Sequence, residues 1–261
     1  MASDFLSRIL SDKEAEVAAK KAALPQAIVE ERARAAPPPL PALAALRGER
    51  LRVIAEVKRA SPSAGVFAGS LDASAQASRY AAGGAAAISV LTDGPYFQGS
   101  LADLEAARQA VSIPLLRKDF IIDPYQIHEA RAGGADLILL VVAALTAARL
   151  TELLALTTDL GMAALVEVCS AAEALLVRDL DVPLVGINNR NLRTFTVDME
   201  TTARLRPLLA SRTVVASLSG MKTVEDARAM RAAGVDAVLV GEALARAADP
   251  ERLLAELGSL P

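Results

Sequence analysis

From Leu51 onward the chain repeats one phrase eight times: a mostly apolar run of five to seven residues, then a stretch with helical spacing. The runs fall at 51–57, 86–91, 113–118, 136–142, 162–168, 183–187, 212–217 and 236–240. Short apolar runs alternating with helices are the mark of βαβ units and a parallel sheet. Three of the runs follow a glycine phrase, Ala81-Ala82-Gly83-Gly84, Ala132-Gly133-Gly134 and Ala232-Ala233-Gly234, in which glycine ends a helix just before a strand begins. Eight strands alternating with eight helices close into a (β/α)8 barrel, the TIM barrel. The competing architecture, an open doubly wound sheet, calls for a G-x-G-x-x-G turn after the first strand, and none is present.

The helical stretches carry their own start and stop signals. Thr223-Val224-Glu225-Asp226 caps a helix start through the Thr hydroxyl and the acidic side chain three residues on, and Gly234 closes that helix. Asp123-Pro124 is an N-cap and first-turn pair. Leu150, Leu153 and Leu154 put an apolar face on the helix that Gly161 ends. Ahead of the repeat, Ser3 to about Ala35 is charged and helix-favouring, and it stops at the cluster Pro37-Pro38-Pro39-Leu40-Pro41. Residues 1–50 thus read as an N-terminal helical extension and a Pro-rich linker. At 261 residues the whole, 1–261, is expected to be a single barrel domain.

With 53% hydrophobic residues and no Trp, the core must come from Ala, Val, Leu and Ile. A net charge of -3 gathers neither nucleic acid nor an anionic membrane surface. The longest apolar run, Leu137 to Ala148, is short of the ~20 residues that span a bilayer. One cysteine, Cys169, and a charged N-terminus with Asp4, Arg8, Asp12 and Lys13 fit a cytoplasmic protein.

Polar residues recur at the C-terminal ends of these apolar strands: Glu56 and Lys58, Lys118, Glu167, Asn188 and Ser219. Barrel enzymes keep their catalytic groups there. Glu56 and Lys58, two apart, point to the same side and can pair. A charge in so apolar a setting is costly unless it is paired or used, which sets this pattern apart from unrelated surface ion pairs. Ser219-Gly220 after the seventh strand and Gly241-Glu242 after the eighth suit a phosphate, since free N–H groups at a helix start favour an anion. Either glycine alone reads equally as a turn.

At this point a family likeness emerges. The segment Ile54-Ala55-Glu56-Val57-Lys58-Arg59-Ala60-Ser61-Pro62-Ser63 resembles a signature of the indole-3-glycerol-phosphate synthases, and Leu116-Arg117-Lys118-Asp119-Phe120-Ile121-Ile122-Asp123-Pro124-Tyr125-Gln126-Ile127 resembles a second. The likeness continues through Leu165-Val166-Glu167-Val168, Gly186-Ile187-Asn188-Asn189-Arg190-Asn191-Leu192 and Val238-Leu239-Val240-Gly241-Glu242-Ala243-Leu244. It implies a carboxy-lyase of tryptophan biosynthesis, in which 1-(2-carboxyphenylamino)-1-deoxyribulose 5-phosphate closes its ring with loss of carbon dioxide and water. It implies no cofactor, no metal and a small phosphorylated aromatic substrate, and a monomer is expected. In this resemblance Lys118 is the general acid, Glu167 the base, and Lys58, held by Glu56, binds the substrate carboxylate and assists loss of the hydroxyl. Asn188 and Arg190 orient substrate, Phe97 and Phe120 wall the anthranilate ring, and Ser61, Ser219, Gly220, Gly241 and the backbone N–H of Glu242 grip phosphate.

One position departs: the family pattern places a glutamate where this chain has Leu218. Reduced turnover or a shifted substrate is the expectation, and an altered barrel of the same family is the alternative, with lysine-based imine chemistry or phosphate-ligand binding alone. A phosphoribosyl isomerase is a weaker rival, because it would show paired aspartates at strands one and five. His128 and Cys169 read as packing residues, Tyr96 and Tyr125 as shapers of the entrance, and Lys20, Lys21, Glu30, Glu31, Arg32 and Arg34 as a solvated helical face.

Overall fold

The computed structural model describes residues 5–62, 65, 66, 68–192 and 194–261. Ser3, Asp4 and Ser63, named above, lie outside them. Eight parallel strands form a closed barrel: β1 (Arg52–Val57), β2 (Ala87–Leu91), β3 (Leu115–Lys118), β4 (Leu137–Val141), β5 (Ala163–Val168), β6 (Leu184–Asn188), β7 (Val214–Leu218) and β8 (Ala237–Val240). Neighbours in sequence are neighbours in space, and β8 pairs with β1 to close the ring.

The two-residue period sorts each strand into a barrel-facing and a helix-facing row. Ile54, Ala87, Leu116, Leu139, Leu165, Leu184, Ala216 and Leu239 fill the interior. The alternate residues, among them Val53, Ile88, Ile138, Val166 and Val238, form the outer core under the helices. Those helices are preceded by three N-terminal ones, α1 (Phe5–Ala23), α2 (Gln26–Ala35) and α3 (Ala42–Ala45). Around the barrel follow α4 (Ala73–Ala82), α5 (Gly94–Phe97), α6 (Leu101–Ala110), α7 (Pro124–Ala132), α8 (Ala147–Asp159), α9 (Ala171–Asp179), α10 (Glu200–Leu205), α11 (Val224–Ala232), α12 (Glu242–Arg246) and α13 (Pro250–Gly258). The expected caps are in place: Thr223 with Asp226, and Asp123 with Gln126, each close a capping box.

The N-terminal extension is not one helix. Pro25 has extended backbone (ψ 143°) and divides α1 from α2, because proline lacks an N–H and disfavours helical geometry in the residue before it. Leu46 and Ala42 join the interior cluster and plug the end of the barrel opposite the strand C-termini. A two-stranded ribbon, Ala60–Ser61 against Gly65–Val66, follows β1 and is not foreseen from the sequence. Among the described residues no helix is long and apolar enough to cross a membrane.

Candidate active site

Two residues above the apolar interior layer, the inward positions turn polar. Ile54 gives way to Glu56, Leu116 to Lys118, Leu165 to Glu167, and Gly186 to Asn188. The same alternation that builds the core thus delivers these four groups to one mouth. Glu56 is buried and forms an ion pair with Lys58. Burial alone would raise the Glu56 carboxyl, but Lys58, Lys118 and Arg190 outweigh it and hold the group below its ordinary value.

Across the mouth, Asn188 donates from Nδ2 to Oε1 of Glu167 at 2.8 Å. Oε2 of Glu167 is buried and has no hydrogen-bond partner among the described residues. Asn188 in turn accepts the Arg190 backbone N–H through Oδ1 at 2.9 Å. One pocket is lined by Lys118 and Glu167 together with Phe97 and Phe120, and by Leu91, Leu139, Val141 and Leu192. A lysine, a glutamate and two phenylalanines therefore share one cleft.

The ends of β7 and β8 stand beside β1, since β8 lies between them in the barrel. Ser219 and Gly220 both have left-handed backbone, with φ of 62° and 90°. Glycine is required at 220, where a Cβ would also strike the Met199 side chain. Gly241 is packed so closely on Glu56 that a Cβ there would collide with the carboxylate. Glu242 opens α12 and turns its carboxylate to Arg246 at 3.0 Å. Ser61 lies half-buried in the ribbon after β1.

Leu218 occupies the inward position on β7 level with Asn188. It is 2% exposed, and its side chain fills the space that a Cβ on Gly186 would need. The end of β7 thus presents hydrocarbon to the mouth.

Beneath Lys118 lies a charge cluster that the sequence alone does not announce. Lys13, on α1 and 1% exposed, reaches Asp93 Oδ2 and Asp119 Oδ1 at 2.9 Å each and Glu16 at 2.6 Å. Asp119 also meets Arg117 at 3.1 Å and Thr92 at 2.7 Å. Burial would raise the Asp119 carboxyl, yet Arg117 and Lys13 prevail and hold it at about 2. The available signal was the buried stripe Leu6, Ile9, Lys13, Val17, in which a lysine occupies an apolar position. Lys20 and Lys21 are not a solvated face: they tie α1 to Glu129 at 3.6 Å and Asp123 at 2.8 Å. Tyr125 is buried, and its hydroxyl donates to the carbonyl of Leu24 at 3.0 Å instead of shaping the entrance. Tyr96 does stand near the mouth, where its ring meets Phe5 of α1 at 5.3 Å. His128, on α7, faces Glu30 of α2 at 3.9 Å.

The family profile of indole-3-glycerol phosphate synthase matches residues 6–257. The chain is 50% identical to the indole-3-glycerol phosphate synthase of Rhodococcus opacus over 252 residues, covering 97% of this chain and 94% of that one. It is 51% identical to that of Mycolicibacterium gilvum, covering 97% and 93%. With that of Roseiflexus sp. it shares 50% over 263 residues, covering 97% and 98%. Among solved structures, a thiamine phosphate pyrophosphorylase from Pyrococcus furiosus superposes with a TM-score of 0.58 at 17% identity, over 81% of this chain and 95% of that one, a likeness of fold alone. By the family profile and the extent of these identities, the chain belongs to the indole-3-glycerol phosphate synthase family.

Proposed function

We propose that the chain is a carboxy-lyase that converts 1-(2-carboxyphenylamino)-1-deoxyribulose 5-phosphate into indole-3-glycerol phosphate, carbon dioxide and water. The observation that carries this reading is the pocket that Lys118 and Glu167 line together with Phe97 and Phe120. An aromatic substrate that must both gain and lose protons needs that combination.

In the first step the ring carbon bearing the carboxylate attacks the ketone, and a carbon–carbon bond forms as the carbonyl oxygen takes up the electron pair. Lys118 donates a proton to that oxygen. The carbon–carboxylate bond then breaks, and its electrons return to the ring as carbon dioxide leaves. The hydroxyl departs as water with a second proton, a loss that Lys58 assists. Glu167 removes the proton whose loss makes the new five-membered ring aromatic. Its unpartnered Oε2 supports that role, while Asn188 fixes the other oxygen. Glu56 holds Lys58, and Arg190 orients substrate from its place after β6. Ser61, Ser219, Gly220, Gly241 and the N–H of Glu242 take the phosphate at the β7 and β8 ends. No step draws on a cofactor or metal ion, and a single chain in the cytoplasm suffices.

Leu218 favours one second reading, a barrel of this family with weakened native turnover. With hydrocarbon at the end of β7, the substrate hydroxyls lack a carboxylate partner there. Turnover assays on the purified chain and on its Lys118→Ala variant, following indole fluorescence, test both readings. Turnover that vanishes with Lys118 supports the first; substrate binding without turnover in the unaltered chain supports the second.

A further inference from the structure

A cavity of about 460 Å3 opens between α1 and the loops after β3 and β4, and it shares no lining residue with the pocket that holds Lys118 and Glu167. That volume is within the range of small-molecule sites, roughly 300–1,000 Å3. Its walls are apolar on both sides, Leu10 and Val17 from α1 facing Ile122 and Leu145 from the barrel. Lys21, Arg149 and Asp123 stand at its rim, as does Glu14.

Lys21 and Arg149 share a single carboxylate, Asp123, at 2.8 Å and 3.5 Å. That carboxylate is already engaged by the Tyr125 backbone N–H as the cap of α7. Arg149 also meets Glu152 and donates from Nε to the Ile122 carbonyl at 2.9 Å; Lys21 remains 37% exposed and Arg149 33%, and both line the cavity. Glu14 has no cation within ion-pair distance among the described residues. Glu14 and Lys21 are two turns apart on one face of α1, about 10.5 Å along its axis.

We propose that this cavity is a binding site for an α-amino acid with a large apolar side chain, its carboxylate on Lys21 and Arg149, its ammonium on Glu14, and its side chain between Leu10, Val17, Ile122 and Leu145. Charge complementarity at both ends selects a zwitterion over a simple anion or cation. The site is independent of the reaction assigned to the barrel mouth.

Calorimetric titration of the full chain with L-phenylalanine tests this. Saturable binding with a dissociation constant on the order of 1 mM is expected for a ligand of this size. Phenylacetate and phenethylamine, each with one charge, should bind at least about tenfold more weakly, in line with the loss of one charged hydrogen bond. Ala18→Trp, an exposed position that fills the cavity without touching the core, should abolish binding. Glu14→Gln should weaken it about fivefold, the size of a semi-exposed ion pair. Lys118→Ala should leave it unchanged. No saturable heat, binding that survives Ala18→Trp, binding lost in Lys118→Ala, or equal affinity for phenylacetate would each overturn the proposal.

Discussion

Lys13 Nζ stands 2.9 Å from Oδ1 of Asp119, the residue that directly follows Lys118. A helix outside the barrel thereby supplies the counter-charge to the loop that follows the proposed acid at the end of β3. Both partners are almost wholly buried, so removing Lys13 leaves Asp119 with Arg117 and Thr92 alone and takes from Asp93 its buried cation. A buried pair broken on one side costs about 3–5 kcal/mol. Lys13→Met should therefore lower stability by about 3 kcal/mol, read as a melting temperature lower by roughly 10 °C for a domain of this size. A change under about 2 °C would mean that Asp93 and Asp119 are satisfied without it.

The same cluster sets an acid limit. Asp119 titrates at about 2 in the folded chain, against a reference of 3.8. Because the folded value is the lower, its stabilisation is complete above about pH 4 and is lost as pH falls from there toward 2. The loss is about 2 kcal/mol at full protonation. Lys13 is shifted the other way: raised above its reference of 10.5, it stabilises fully below that pH and is lost as pH climbs further. Urea denaturation at pH 4 and pH 2 should show a smaller acid loss in Asp119→Asn than in the unaltered chain. Equal losses would place the acid sensitivity elsewhere.

Leu218 is the inward residue nearest the mouth on β7, level with Asn188. Leu218→Glu puts a carboxylate within the field of Lys58, Lys118 and Arg190, the cations that already depress Glu56. Turnover should rise several-fold, while burial of the new charge lowers stability by about 1–3 kcal/mol. Unchanged kcat/KM would show that the native hydrocarbon is no handicap.

Gly241 has no room for a side chain because the Glu56 carboxylate fills the place of its Cβ. Gly241→Ala should displace Glu56 from Lys58 and raise KM by about tenfold or more, since a misplacement of about 1 Å in a site can cost up to a hundredfold. Steady-state kinetics on this variant beside Gly258→Ala, where a Cβ meets nothing within 4 Å, separate the local effect from a general one.

The barrel was legible because its signal is local and repeated. Runs such as Ile54-Ala55-Glu56-Val57 carry both the strand and, through the two-residue period, the side on which Glu56 emerges. Phe97 and Phe120 could be paired with Lys118 and Glu167 through the family resemblance, and the pocket unites them. Leu139 and Leu192, which line the same pocket, were missed, because a leucine in an apolar strand or a loop has no chemical mark of its own. Lys13 was invisible for another reason. Its partners lie 80 and 106 residues away, at Asp93 and Asp119, and only the docking of α1 joins them. The ribbon at Ala60–Ser61 rests on two residues per strand, too few to show a period.

Whether Lys118 is the general acid of an indole-forming barrel is decided by the rate of indole-3-glycerol phosphate formation in the unaltered chain and in Lys118→Ala. A general acid contributes about 10²–10⁴ in rate. With Lys118 in that role, the unaltered chain turns over measurably, and Lys118→Ala loses at least about 10² in kcat while its substrate affinity stays within a few-fold of the original. Turnover that survives in Lys118→Ala would contradict the assignment.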